Sequence, residues 1–170
     1  MSLVRFKAQN HQQQLVARGP RLDVDERITE PAWFAALDRR FHFTIDVAAL
    51  ARNTKCERFY SPDDNGLDQP WAGERVWCNP PFSSIEPWVV KAWAEVDAPL
   101  IVMLVPANRT EQPWWQELVE PHRDGGGRLS VEFLAGRIRF LLPGQVTPAA
   151  NTRPPFGCAL LIWSSRVAPS

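Results

Sequence analysis

The sequence predicts an α/β fold with a mixed sheet, helices packed on it and an antiparallel C-terminal edge. Strand-like and helix-like patterns alternate between residues 31 and 105, the order expected of parallel strands joined by crossovers. The run Pro99-Leu100-Ile101-Val102-Met103-Leu104-Val105 is apolar throughout and stops at Pro106, as a strand buried on both faces does. Three short strand-like segments then succeed one another near 129–134, 137–142 and 157–163, which supplies the antiparallel edge.

Taken in order, residues 1–24 are polar and Gln-rich without periodicity and read as a flexible N-terminal arm. Residues 25–170 form a single domain. Thr29-Glu30-Pro31 opens a helix: Thr29 or Glu30 caps it, Pro31 occupies its first turn, and Trp33, Phe34 and Leu37 give it an apolar face. Phe41 to Val47 alternates and reads as a strand that ends near Asp46. Ala48 to Ala72 is irregular, with a turn over Ser61-Pro62-Asp63-Asp64-Asn65-Gly66. Glu74 to Cys78 reads as a buried strand, residues 84–97 as an amphipathic helix and 112–120 as a short helix. Asp124 to Arg128 is a Gly-rich turn.

Composition narrows the function classes. With 170 residues and 45% hydrophobic content, one domain has room for a real core. Formal net charge is zero, so no global field draws the chain to nucleic acid, and binding there requires a local patch. All basic residues beyond position 100 are arginines, which suit phosphates and base edges. Cys56, Cys78 and Cys158 are odd in number and lack C-x-x-C spacing. This argues against a disulfide framework or a zinc site, and for a reducing cytoplasm. No metal ligand set is expected. There is no membrane-spanning apolar run and no feature that demands an obligate protein partner.

The chemistry concentrates at Asn79-Pro80-Pro81-Phe82, immediately beyond the 74–78 strand. Proline cannot donate to a ladder, so the sheet stops there, and ligands of open α/β sheets bind at the carboxyl ends of strands. The Asn79 side-chain oxygen and the Pro80 carbonyl are two acceptors that together can bind both protons of one exocyclic amine. That draws the nitrogen lone pair out of conjugation and makes the nitrogen a better nucleophile. Phe82, expected to be exposed, offers a stacking face worth roughly 1–3 kcal/mol to a flat base. A base within a duplex must be flipped out to reach such a site. Direct transfer of an activated methyl group to the amine fits these residues.

The flanking segments carry a family resemblance. Thr-Glu-Pro-x-Trp-Phe, Phe-x-Phe-x-x-Asp-Val-Ala-Ala, Asp-Asn-Gly-Leu-x-x-x-Trp and Val-Trp-Cys-Asn-Pro-Pro-Phe follow in that order, with Trp88 and Lys91 beyond. Met103 to Pro106, Arg109-Thr110, Trp114-Trp115 and Gly136 to Phe140 continue it. The chain over about residues 25–163 thus resembles phage-encoded Dam-type DNA adenine-N6 methyltransferases.

That resemblance implies a compact, abbreviated Rossmann-like methyltransferase domain, encoded by a phage or prophage and acting in the cytoplasm of a bacterial host. It implies S-adenosylmethionine (S-adenosyl-L-methionine) as cofactor, DNA as partner, and site-specific methylation of the adenine N6 amine. Asn79, Pro80, Pro81 and Phe82 match the family's catalytic D/N-P-P-Y/F motif. Asp46, Val47 and Ala48 match its cofactor-holding strand end, and Thr29, Glu30 and Pro31 its Thr-Pro element. The turn at Asn65 to Leu67 is placed near the cofactor adenine. Arg109 and Thr110 are candidates for DNA contact, as are Arg137 and Arg139.

The same residues have plainer uses: Asp46 as a cap, Glu30 as a helix-start carboxylate, Asn65-Gly66 as a turn, Arg137 and Arg139 as the solvated face of a strand. The chain also departs from the family pattern. Thr-Pro has become Thr-Glu-Pro, and no G-x-G loop follows the first strand. Asp46 and Asn79 are only 33 positions apart, too close for two full crossover units. Competing readings are methylation of an amino group in RNA or on a protein glutamine, a metal-dependent nuclease using Asp46, Asp63 and Asp64, and a DNA-binding module without activity.

Overall fold

The computed structural model describes residues 28–124, 126–141, 154 and 156–165. The expected arm over 1–24 lies outside the described residues. A six-stranded mixed sheet forms the centre of a compact α/β domain. Its strands are β2 (Ile45–Asp46), β3 (Arg58–Phe59), β4 (Arg75–Cys78), β5 (Leu100–Pro106), β6 (Leu129–Phe133) and β8 (Cys158–Ser164). Their order across the sheet is β3-β2-β4-β5-β8-β6. The first four are mutually parallel; β8 runs antiparallel to both β5 and β6. A separate ribbon pairs β1 (Ile28–Thr29) with β7 (Phe140–Leu141), Thr29 opposite Phe140.

Helices α1 (Pro31–Phe41), α2 (Glu86–Ala94) and α3 (Pro113–Leu118) each carry a proline in the first turn, where its missing N–H costs nothing. Side-chain alternation along the strands divides the core in two. Trp77, Leu100, Val102, Leu104, Leu160 and Ile162 face α1 and pack on Phe34, Leu37 and Phe41. Val76, Cys78, Ile101, Met103, Val105, Leu161 and Trp163 face the opposite way, with Trp88, Val89, Trp114 and Trp115 of α2 and α3. Every residue of β5 is buried, as expected of a central strand covered on both faces. Arg128 ties β6 to α2 by donating to the Trp93 and Glu95 carbonyls at the helix C-terminus, where a cation also suits the dipole.

Two expected strands are corrected. Phe41 to Val47 is not one strand: α1 continues to Phe41, because Phe34, Leu37 and Phe41 share its buried face. The chain then turns through His42, left-handed at φ 52°, with its N–H on the Asp38 carbonyl, and only Ile45–Asp46 joins the sheet. The expected 137–142 strand reduces to Phe140–Leu141, so Arg137 and Arg139 lie ahead of a strand rather than along one. The short span before β4 is accommodated as its length required. No helix lies between β2 and β4, whose parallel connection consists of turns and the two residues of β3.

Candidate active site

β2 and β4 are neighbours, so their carboxyl ends bring Asp46 and Asn79 to one place. The ribbon strand β1 borders the same spot. The resulting cleft is shallow and opens to solvent. Ile28 and Thr29 line it from β1, Asp46 and Ala48 from the end of β2, Asn53 and Lys55 from the following loop, and Trp77 and Asn79 from β4. Four sequence-derived candidates, Thr29, Asp46, Ala48 and Asn79, therefore share one cavity.

Asp46 is 3% exposed. Its carboxylate accepts the Ala48 N–H at 3.3 Å on one oxygen and the Lys55 N–H at 3.0 Å on the other. Burial nevertheless raises its pKa from 3.8 to about 6, the two backbone bonds and the Lys55 charge only partly opposing the loss of water. The Lys55 ammonium is held below its ordinary pKa by burial, against the attraction of Asp46. Thr29 does not cap α1. Its buried hydroxyl has no hydrogen-bond partner among the described residues, an arrangement a bound polar group would relieve. The walls thus combine acceptors (Asp46, the Thr29 oxygen) with donors (Lys55 and the Asn53 amide).

The motif loop is fastened at both ends. Cys78 closes β4 with its side chain in the core, and the Ser84 N–H returns to the Pro81 carbonyl at 3.0 Å. Arg109, from the turn after β5, donates through Nη1 to the Phe82 carbonyl, so at least part of its guanidinium serves the loop. The expectation of an exposed Phe82 is overturned: the ring is 6% exposed and packs against Phe140 edge-on and Phe156 at a tilt, both at 6.1 Å. Phe82 thereby joins the cluster on the α1 face of the sheet. Burying an aromatic there is worth about 1.5–3 kcal/mol.

The remaining candidates are not part of the cleft lining. Glu30 and Pro31 start α1 directly after Thr29, with Glu30 at the cap position but without a side-chain bond. Val47 is buried, its N–H on the Trp77 carbonyl at 3.1 Å. Asn65 is left-handed at φ 52° and donates to Asp68, and Leu67 packs on the core. Between them, Gly66 presses so close to the Val47 carbonyl that a Cβ would overlap it. The turn therefore braces the segment after Asp46. The Thr110 carbonyl accepts from Gln116. Arg137 and Arg139 lead into β7, the partner of cleft-lining β1.

The nuclease reading gains nothing from this geometry. Asp64 is exposed and accepts the Ser61 N–H and hydroxyl within its own turn, which holds its carboxyl below the ordinary range. Among the described residues no group of three or more His, Cys, Asp or Glu side chains could hold a metal ion. None of the helices described is long and apolar enough to cross a membrane. Asn53 and Lys55 escaped the sequence reading, for Lys55 reaches Asp46 through a backbone bond from nine residues away and Asn53 meets the cleft only through the folded loop, neither being a local pattern.

Comparison with known proteins adds a family. Residues 20–169 match the family model described as DNA N-6-adenine-methyltransferase (Dam). A DNA N-6-adenine-methyltransferase of Haemophilus phage HP1 (strain HP1c1) is 40% identical over 50 residues, 29% of this chain and 29% of that protein. One of Escherichia phage T1 is 36% identical over 86 residues, 49% of this chain and 36% of that protein. The matched stretches thus span about a third of the length of these curated relatives. A crystal structure from Pyrococcus horikoshii, provisionally assigned as an RNA methyltransferase, aligns with TM-score 0.48 at 16% identity, covering 86% of this chain and 90% of that one.

Proposed function

Because this chain belongs to the Dam family of DNA N-6-adenine-methyltransferases, we propose that it methylates the N6 amine of adenine in DNA, with S-adenosylmethionine as cofactor. The observation that carries the reading is the meeting of Asp46 and Asn79 in one cleft at the carboxyl ends of adjacent parallel strands. An abbreviated Rossmann-like arrangement is the fold reading that goes with it.

The residues present fit such a cofactor. Asp46 suits an ammonium or hydroxyls, and the unpartnered Thr29 hydroxyl suits a further polar group. When bound, S-adenosylmethionine supplies a methyl group on a cationic sulfur, which the amine displaces. Asn79 accepts a hydrogen bond from one amine N–H through its side-chain oxygen, and Pro80 accepts one from the other N–H through its carbonyl. This localises the lone pair on nitrogen and orients it. Pro81 stiffens the loop, and Arg109 holds its far end at the Phe82 carbonyl. Phe82 acts chiefly by supporting the loop from beneath; stacking on the base requires Phe140 or Phe156 to uncover it. Arg137, Arg139 and Thr110 are assigned to the DNA side.

Incubation with S-adenosylmethionine and either DNA or RNA, followed by mass spectrometry of the nucleosides, tests the proposal. N6-methyladenine arising in DNA is the expected result. Methylation confined to RNA, or to another base, overturns it.

A further inference from the structure

Lys55 is a half-buried cation on the wall of the cleft, and its ammonium has no ion-pair partner within 4 Å among the described residues. Lys91, by contrast, is paired with Glu95 at 2.5 Å. Asp46 attracts Lys55 from beyond salt-bridge range, and its two oxygens already accept backbone N–H groups. A partly desolvated, unpaired charge is costly to hold, and an anion in the cleft would offset that cost. Asn53 stands beside it. Its side-chain oxygen accepts the Leu50 N–H at 2.6 Å, which leaves the amide NH2 as the group it can offer a ligand.

We propose that Lys55, assisted by Asn53, is the anchor for the α-carboxylate of the cofactor's amino-acid end. The proposal rests on the cofactor reading given above. The cleft is then charge-matched to a zwitterion, with the carboxylate on Lys55 and Asn53 and the ammonium directed to Asp46. The backbone supports this division of labour. The Lys55 N–H is bonded to Asp46, so the residue that meets the carboxylate is tied to the one that meets the cation. Specificity follows: a nucleoside thioether without the carboxylate leaves Lys55 unpaired and binds weakly.

Titration calorimetry on the full chain tests this with three probes. S-adenosylhomocysteine carries both charged groups, S-adenosyl-3-thiopropylamine lacks only the carboxylate, and 5′-methylthioadenosine lacks the whole amino-acid end. The wild type should bind S-adenosylhomocysteine about 10- to 100-fold more tightly than the propylamine, the range of a charge-assisted contact. Lys55→Met should erase most of that preference by weakening S-adenosylhomocysteine alone, while Lys55→Arg should retain it. The Met variant keeps the backbone donor to Asp46, and an unchanged melting curve would verify its fold. Equal weakening of all three probes by Lys55→Met, or no weakening, overturns the anchor. A wild type that binds S-adenosylhomocysteine and the propylamine alike overturns it while the cofactor reading stands. A wild type that binds none of the three overturns both.

Discussion

Replacing Asp46 by asparagine sets stability against binding at one buried atom group, with a magnitude that follows from the structure. The Asp46 carboxyl has a folded-state pKa of about 6 against an ordinary 3.8. Since it is raised, the folded protein holds this proton more tightly than the unfolded chain. The stabilising contribution is complete below pH 3.8 and is lost as pH rises through 6. At ~1.4 kcal/mol per pH unit, the loss amounts to about 3 kcal/mol. Asparagine does not ionise, so the Asn variant should gain about 3 kcal/mol on the wild type between pH 3 and pH 8. Near pH 8 that corresponds to a relative melting shift of about 6–12 °C for a chain of this size. Asparagine has one acceptor oxygen, so either the Ala48 or the Lys55 N–H loses its partner. That penalty is independent of pH and leaves the slope untouched. Urea unfolding of both proteins at five pH values measures it. A difference that stays flat, or that moves in the wild type's favour as pH rises, refutes the burial argument. S-adenosylhomocysteine affinity should respond oppositely, falling in the Asn variant at pH 8.

Asn79→Ala should lower the methylation rate by about 10²–10³-fold, the scale for removing one positioned hydrogen-bonding group at a reacting centre. Its calorimetric affinity for S-adenosylhomocysteine should stay within a few-fold; equal loss of both would show that Asn79 serves the cofactor instead. Phe82→Ala should destabilise the fold by about 3–5 kcal/mol in urea titrations, because the ring is buried rather than offered to solvent. A loss below ~1 kcal/mol would return Phe82 to the exposed stacking role. Gly66→Ala should cost at least about 2 kcal/mol, since the added carbon overlaps the Val47 carbonyl, and an unshifted melting curve would contradict that packing. Burial holds the Cys56 and Cys158 thiols at about 12, so iodoacetamide at pH 8 should alkylate native protein far more slowly than free cysteine. Labelling at the free rate would show a thiol open to water.

The parts legible in the sequence were those where one local rule met no rival. The apolar run of β5 and the proline-terminated end of β4 stand where expected, and so does the helix opened by Pro31. Phe41 to Val47 failed because two periods overlap there. Phe41 and Phe43 fit an alternating strand, but Phe41 also completes the helical series from Phe34 and Leu37, and burial against the sheet favoured the helix. At Ile138 and Phe140 alternation is real, yet only the second reaches a partner strand. Asn79 stood out from its place at a strand end, and Asp46 through the family resemblance. Lys55, Asn53 and the covering of Phe82 depend on contacts between distant segments, which no single-segment pattern encodes.

The placement of β8 governs the order in which this sheet can be completed. It is the last strand described, yet it lies between β5 and β6, with Leu100 opposite Ser164 and Leu129 opposite Trp163. During synthesis β5 therefore emerges with one apolar edge open, and β6 has no sheet partner until residues 158–164 arrive. Pairings across so long a loop are slow to form, and an open hydrophobic edge is an invitation to other chains in the interval. The antiparallel end thus acts as a closing wedge: the parallel half that carries the cleft is sealed only when the final strand slides into the middle of the sheet.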